Sequence, residues 1–147
     1  MLHEKVLFAY VTLIREGMVA SGVYHPDAVL HDINHEKNYS LAVTAGFITK
    51  SDGVYWNEID VTFNNETVIS PNHDGESNFR TLLSNRSSAD QYVTISSFYL
   101  KAVRLSKAGI YTATVSLFSC DEGGQKGHFI DSKECLFVVA EEYQNNG

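Results

Sequence analysis

Period-two alternation is the feature of this sequence that most limits its fold. In three segments, residues 39–49, 54–63 and 110–119, apolar side chains recur at every second position with polar ones between them. Successive side chains of a β-strand point to opposite faces, so this pattern predicts strands with one buried and one solvated face. Such strands are typical of antiparallel sheets, and the Asp-Gly and Asn-Asn turns between them indicate a sandwich or barrel.

We therefore predict an all-β protein, with residues 1–147 forming a single domain. The expected architecture is an antiparallel β-sandwich, immunoglobulin-like or a related Greek key, with one or two short helices. The first helix is predicted over Pro26 to Lys37, because Pro26 suits a helix start and Val29, Leu30 and Ile33 would face inward. The second is a single turn from Asn78 to Ser84. A chain of 147 residues has the usual length of one domain.

Composition and charge exclude several classes of protein. With 44% hydrophobic and 20% charged residues, the chain does not have the composition of a disordered segment. The net charge of −7 argues against sequence-independent nucleic-acid binding, which depends on basic side chains that neutralise phosphates. No apolar run is long enough to span a membrane. Residues 51–100 carry seven acidic and two basic side chains, which favours a basic partner.

The N-terminus and the cysteines indicate a cytoplasmic protein. The first five residues lack the basic region of a secretory signal, and no small-residue cleavage site follows them. Two cysteines are too few for a disulfide scaffold. Cys120 and Cys135 flank a predicted hairpin loop, where they could lie opposite each other and pair under oxidising conditions. In a reducing cytoplasm we expect free thiols.

The histidines supply the one alternative that involves a metal. If the segment from Pro26 is helical, His31 and His35 share a face with Asp27 one turn earlier, and His25 lies close by in sequence. This arrangement would suit a metal-dependent hydrolase, but a catalytic zinc needs three protein ligands and no second cluster completes the set. No Gly-x-Ser-x-Gly elbow and no phosphate-binding loop occurs. We therefore expect no enzymatic activity and no cofactor.

The single tryptophan is the best candidate for a contact residue. Alternation places Trp56 on the same solvated face as Glu58 and Asp60, and Tyr55 adjoins it in sequence. An exposed tryptophan is a frequent anchor of protein interfaces, so these four residues form the predicted partner-binding surface. Two alternatives remain open. A loop such as residues 72–76 could cover Trp56, or Trp56 could stack on a sugar ring in a carbohydrate-binding module.

The segment from Leu105 to Val115 resembles the corner before strand F of immunoglobulin-like sandwiches. It has an apolar residue, a turn, Gly109, and then Tyr111 two positions later. The resemblance implies that the Tyr111 hydroxyl bonds back to the corner backbone and that both residues are structural. Lys107 and Ala113 stand where the family has Asp and Cys, so no disulfide is implied. The whole chain is also similar to small uncharacterised sandwich proteins of bacteria and phages.

Together these features predict a non-enzymatic protein-binding or assembly module of bacterial or phage origin. An accessory structural subunit and an inhibitor of a host protein both fit. The expected partner is another protein or a second copy of the chain, with no role for nucleic acid or membrane. The expected location is the cytoplasm, which is the host cytoplasm if a phage encodes the protein.

Overall fold

The computed structural model of the chain describes residues 4–15, 18, 24–70 and 78–141. Over these residues the regular secondary structure is entirely β, with nine strands and no helix. None of the described residues therefore belongs to a helix that could cross a membrane. In chain order the strands are β1 (Lys5–Leu13), β2 (Val29–Leu30), β3 (Asn38–Lys50), β4 (Tyr55–Phe63), β5 (Glu66–Thr67), β6 (Asn78–Ser88), β7 (Gln91–Arg104), β8 (Gly109–Cys120) and β9 (Lys126–Val139).

The strands form two sheets. The first sheet has the order β1-β3-β7-β6 and the second has the order β2-β9-β8-β4-β5. Every pairing is antiparallel except that of β2 with β9. Three hairpins, β4–β5, β6–β7 and β8–β9, stay within one sheet, whereas every other connection between consecutive strands changes sheets. The all-β prediction is confirmed.

The apolar faces of both sheets contribute to one hydrophobic cluster. Leu41 and Val43 of β3 enter it from the first sheet, and Val115 and Leu117 of β8 enter it from the second. All four are 0–1% exposed. Removing such a side chain from water stabilises the fold by about 1.5–3 kcal/mol. In β8 the buried residues alternate with half-buried ones, which is the pattern that its sequence predicts.

Strand β3 departs from the alternation that its sequence suggested. Residues 41–47 are all buried, so neither of its faces is solvated. On the outer side, the Tyr10 hydroxyl of β1 donates to the carbonyl oxygen of Tyr24, which is itself buried. The hydroxyls of Thr44 and Ser97 lie 2.7 Å apart and satisfy each other there. The small polar side chains on this face are therefore buried within the protein rather than facing water.

Both predicted helices are wrong. Pro26 to Lys37 contains the short strand β2 and turns, and Asn78 to Ser84 is the first part of β6. The Asp27 amide donates to the Val11 carbonyl at 2.7 Å, and the Val138 amide donates to the carbonyl of Ala28 at 2.9 Å. Pairing with strands that are distant in sequence thus supplies the backbone partners that a helix would have supplied locally.

The corner before β8 has the hydrogen bond that its sequence predicted. The Tyr111 hydroxyl donates to the Lys107 carbonyl at 2.6 Å, and the Lys107 amide donates back to it at 3.2 Å. The ring is fully buried between Phe63 and Phe137, with ring centroids 4.6 and 5.4 Å away. Burial raises the pKa of the Tyr111 hydroxyl. Gly109 precedes it at φ 138°, where side chains other than glycine are rare.

Replacing Tyr111 with Phe should destabilise the protein without changing its fold. The variant keeps the buried ring but loses the hydroxyl, which accepts a hydrogen bond from the Lys107 amide and donates one to the Lys107 carbonyl. We expect a loss of about 0.5–1.5 kcal/mol in the free energy of unfolding, measured by urea denaturation. An unchanged midpoint and slope would contradict a stabilising role for this hydrogen bond.

Replacing Gly109 with Ala should cost more than the same change at Gly124. Both glycines have positive φ, at 138° and 78°, but only at Gly109 would a Cβ meet a neighbour, 2.9 Å from Phe63 Cε2. Strain at such a position costs about 1–3 kcal/mol. Comparing the thermal unfolding of the two variants separates the effect of the close contact with Phe63 from the cost of a side chain at positive φ, which both sites share. Equal losses at both sites would argue that Phe63 does not constrain the corner.

Candidate functional site

The outer face of the second sheet carries a row of aromatic side chains. Residues that lie opposite each other in an antiparallel pair share a face, and the register places Trp56 opposite Phe118 and Phe118 opposite Phe129. Trp56 is 37% exposed and Phe129 is 57% exposed, while Phe118 between them is half-buried. We refer to these three residues as the aromatic row. It spans β4, β8 and β9 on the side away from the core.

Lys126 covers the centre of the aromatic row. Its Nζ lies 4.7 Å from the centroid of the Phe118 ring and 2.8 Å from Glu58 Oε1. Phe129 meets Phe118 nearly edge to face, with the ring planes at 74° and the centroids 5.7 Å apart. The row is therefore uneven, because Trp56 and Phe129 flank a phenylalanine that is capped by a cation.

Two rows of polar side chains, each running across β4, β8 and β9, lie next to the aromatic row on the same face. The Asp60 carboxylate accepts hydrogen bonds from the Thr67 hydroxyl at 2.6 Å and from the Val61 amide at 2.9 Å. Glu58 pairs with Lys126, and both partners of that ion pair are well exposed. The rows bring three carboxylates onto one surface. Their members are Glu58, Ser116 and Ser132 in the first row, and Asp60, Thr114 and Glu134 in the second.

A second apolar surface lies at the far end of this face. The register aligns Ile110 of β8, Val138 of β9 and Val29 of β2, and Leu136 shares the face of Val138. These four residues, the aliphatic patch, are 36–61% exposed. Ile110 is eight positions from Phe118, a separation of roughly 27 Å along a strand. Clustered apolar side chains of this exposure mark interaction surfaces in folded proteins.

The structure brings together three of the four residues predicted for partner binding. Trp56, Glu58 and Asp60 are exposed on the same outer face, as alternation indicated. Tyr55 lies on the opposite side of β4, so its place in the predicted surface is wrong. The loop of residues 72–76, which was the predicted alternative cover for Trp56, lies outside the described residues.

Tyr55 instead links three segments on the inner side. Its hydroxyl donates to Glu4 Oε2 at 2.8 Å and accepts a hydrogen bond of 2.8 Å from the Lys50 amide. Burial raises the pKa of Tyr55 to about 12, and the Glu4 carboxylate adds to the increase. Tyr55 therefore stabilises the end of the sheets rather than presenting a contact surface.

The histidine segment does not have the geometry that a metal site would need. Without a helix, His31 and His35 do not share a face in the way that their spacing suggested. His25 and His31 are exposed, and His35 Nδ1 lies 2.8 Å from the carbonyl oxygen of Leu105. Across residues 4–15, 18, 24–70 and 78–141, no three His, Cys, Asp or Glu side chains cluster in a way that could hold a metal ion.

The two cysteines are free, and they do not face each other. They do flank the β8–β9 hairpin, but its register places Cys120 opposite Lys126 and Cys135 opposite Ala113. The register therefore does not bring the two thiols opposite each other, as a disulfide under oxidising conditions would have required. Cys135 packs against the core, and burial raises the pKa of its thiol.

A serine and a histidine that the sequence did not single out lie together beside the aromatic row. Ser119 Oγ is 2.9 Å from His128 Nδ1, and the His128 amide donates to the same oxygen at 2.9 Å. Nucleophilic catalysis also needs a third group that orients the imidazole. Within the described part of the chain, no carboxylate hydrogen-bonds to this ring. The contact therefore serves to tie β8 to β9 where their register shifts.

Sequence reasoning missed Phe118, Phe129 and the aliphatic patch. The outward position of Phe118 could have been predicted from the sequence, because the polar side of β8 continues at even positions from Thr112 through Ser116 to Phe118. Phe129 was not. A register shift leaves Ile130 as an extra residue in β9, so odd and even positions exchange faces across it.

Comparison with family models and with curated proteins gives no relative from which a function could be transferred. No family model matches the chain, and no curated protein is significantly similar to it in sequence.

Replacing Tyr55 with Phe should flatten the loss of stability at alkaline pH. The folded-state pKa of about 12 lies above the usual tyrosine pKa of 10.0, so the stabilisation is complete below pH 10 and is lost as the pH rises towards 12. Urea midpoints measured between pH 8 and pH 12 test this. Glu4→Gln, which removes the charge but keeps an acceptor, should give an intermediate slope. Identical slopes for all three proteins would contradict the assignment.

Proposed function

We propose that this chain is a non-enzymatic protein-binding or assembly module built on an immunoglobulin-like Greek-key sandwich. The strand order β1-β3-β7-β6 corresponds to strands A, B, E and D of that fold, and β9-β8-β4 corresponds to G, F and C. Tyr111 then lies near the start of strand F, where such domains have their tyrosine corner. The apolar cluster shared by the two sheets supports the same interpretation.

The observation that carries the proposed function is the exposed aromatic row. Trp56 and Phe129 remain 37% and 57% exposed on a regular sheet face, although burial of aromatic surface is strongly favourable. Buried aromatic anchors contribute a large part of the binding energy in protein interfaces. Polar rows border this pair on one side, as polar side chains do at the edge of an interface.

The charge of the face indicates a basic protein as the partner. The three carboxylates Glu58, Asp60 and Glu134 lie between two apolar surfaces, with Lys126 as the cation paired to Glu58. A second copy of the chain would bring the same acidic rows, and the whole protein carries a charge of −7. A partner with basic side chains flanked by apolar ones complements all three parts of the face.

The same geometry does not extend Trp56 into a flat aromatic platform on which a sugar could stack. A sugar ring stacks on an open aromatic face, but Lys126 covers one face of Phe118 and Phe129 stands at 74° to it. The metal-dependent hydrolase is also unsupported, because the helix that would have aligned His31 and His35 is absent from residues 24–70. A protein partner needs neither a flat platform nor a metal.

We further propose that the module is of bacterial or phage origin and works in the cytoplasm of the cell or host. An accessory structural subunit and an inhibitor of a host protein would use such a face equally well. Genomic position separates these roles. Neighbouring virion genes would favour the structural subunit, and neighbouring defence genes would favour the inhibitor.

Phe129→Ser should abolish binding of the partner while Leu83→Ser preserves it. Leu83 is a matched control because it is also exposed, at 43%, but lies on β6 of the first sheet. The measurement is quantitative affinity capture from the source cells with the wild-type chain and both variants. We expect at least one basic protein that wild type and Leu83→Ser retain and that Phe129→Ser loses.

Glu134→Lys tests the charge component of the same proposal. Reversing one exposed carboxylate of the polar rows should slow association with the captured partner, and added salt should reduce the difference from wild type. Equal capture by all variants would contradict a binding role for this face. A dimer in sedimentation that Phe129→Ser dissociates would replace the basic partner with a second copy of the chain.

A further inference from the structure

A separate concave surface lies beside the corner that Tyr111 anchors. It is a cleft of about 490 Å³ between the β5 segment on one side and the end of β7 with the following corner on the other. The cleft is large enough for a small ligand, which its open mouth would leave partly exposed to solvent. None of the aromatic row or the aliphatic patch lines it. The residues that matter for its chemistry are Phe63, Glu66, Ala102, Arg104, Ser106 and Lys107.

Backbone contacts fix the wall of this cleft. The Arg104 amide donates to the Val68 carbonyl at 2.9 Å, and the Ser70 amide donates to the Ala102 carbonyl at 3.4 Å. Ala102 has a φ of 58°, a left-handed conformation that is uncommon for alanine, at a register shift in β7. The segment after β5 is thus tied to β7, and the cleft does not depend on a freely moving loop.

The cleft is more basic than the rest of the protein. Arg104 and Lys107 line it with Glu66 as the one acidic lining residue, in a chain whose net charge is −7. Arg104 Nη1 donates to the Glu36 carbonyl at 2.8 Å, which orients the guanidinium and uses one of its five N–H donors. The backbone of Lys107 bonds to Tyr111, so its ammonium group is not needed for the corner.

Phe63 supplies an apolar surface beside these cations. It is half-buried, and its ring is supported from behind by Tyr111, 4.6 Å away between centroids. The Ser106 hydroxyl adds a group that can donate to an anion. Arginine and lysine together recognise carboxylates and phosphates, and an aromatic ring beside them favours a ligand with an apolar body.

We propose that this corner cleft binds a small ligand that carries a carboxylate or a phosphate on an apolar body. The site is separate from the aromatic row and the aliphatic patch, although Thr67 in its lining donates to Asp60 of the acidic rows. The two cations hold the anionic group, and Phe63 contacts the apolar part.

The test uses benzoate and phenyl phosphate as probes, with benzyl alcohol as the neutral analogue and inorganic phosphate as the anion alone. Binding is followed by amide chemical shifts of the full chain. We expect saturable shifts at cleft residues with at least one aromatic anion. We also expect at least tenfold weaker binding in both Arg104→Gln and Lys107→Gln. Lys133→Gln, an exposed lysine of β9 outside the cleft, is the matched control and should bind as wild type does.

The probe that saturates the cleft identifies the anionic group of the ligand. Saturation by benzoate alone assigns a carboxylate ligand, and saturation by phenyl phosphate alone assigns a phosphate. Four results would overturn the proposal: no saturable shift with either aromatic anion, equal affinity for benzyl alcohol, equal affinity for inorganic phosphate, or the same loss in Lys133→Gln. Thermal unfolding of each variant is measured alongside. An unchanged transition shows that weaker binding reflects the removed charge rather than a damaged fold.

Discussion

The register that joins β4, β8 and β9 is the constraint on which the rest of the structure depends. It places Val115 and Leu117 in the core and, by the same alternation, turns Phe118 outward. A slip of one residue would exchange the two faces of a strand. One end of β8 is held by the Tyr111 corner. At the other end, the Asp121 carboxylate accepts hydrogen bonds from the Gly123 and Gln125 amides, each at 2.9 Å.

The alternation along β4, β8 and β9 places the residues that stabilise the protein on the inner face and the residues available for binding on the outer face. Burial on the inner face involves both sheets and accounts for the fold, whereas the aromatic row and the aliphatic patch contribute little to the core. Their exposure costs solubility and brings no evident stability to the isolated chain. A partner that covers both apolar surfaces and meets the acidic rows between them would account for all three features at once.

The sequence predicted the parts of the structure that depend on local pattern. Alternation placed Trp56 on the outer face, and the corner motif located the Tyr111 hydrogen bond. It failed where distant contacts decide the outcome. The segment from Pro26 has helical spacing, but its backbone partners are strands β1 and β9. The second face of β3 is buried on the side where the Tyr10 hydroxyl bonds to the Tyr24 carbonyl, and the bulge at Ile130 reverses the parity that would have located Phe129.

The most direct test of a binding role for the outer face uses the intrinsic fluorescence of Trp56, because it is the only tryptophan in the chain. In the isolated protein at high dilution, we expect red-shifted emission that acrylamide quenches readily. The emission should move to shorter wavelength, with protection from the quencher, as the captured basic partner is added. Blue-shifted emission that is already protected from acrylamide at high dilution would show that Trp56 is covered within the monomer and would contradict the account.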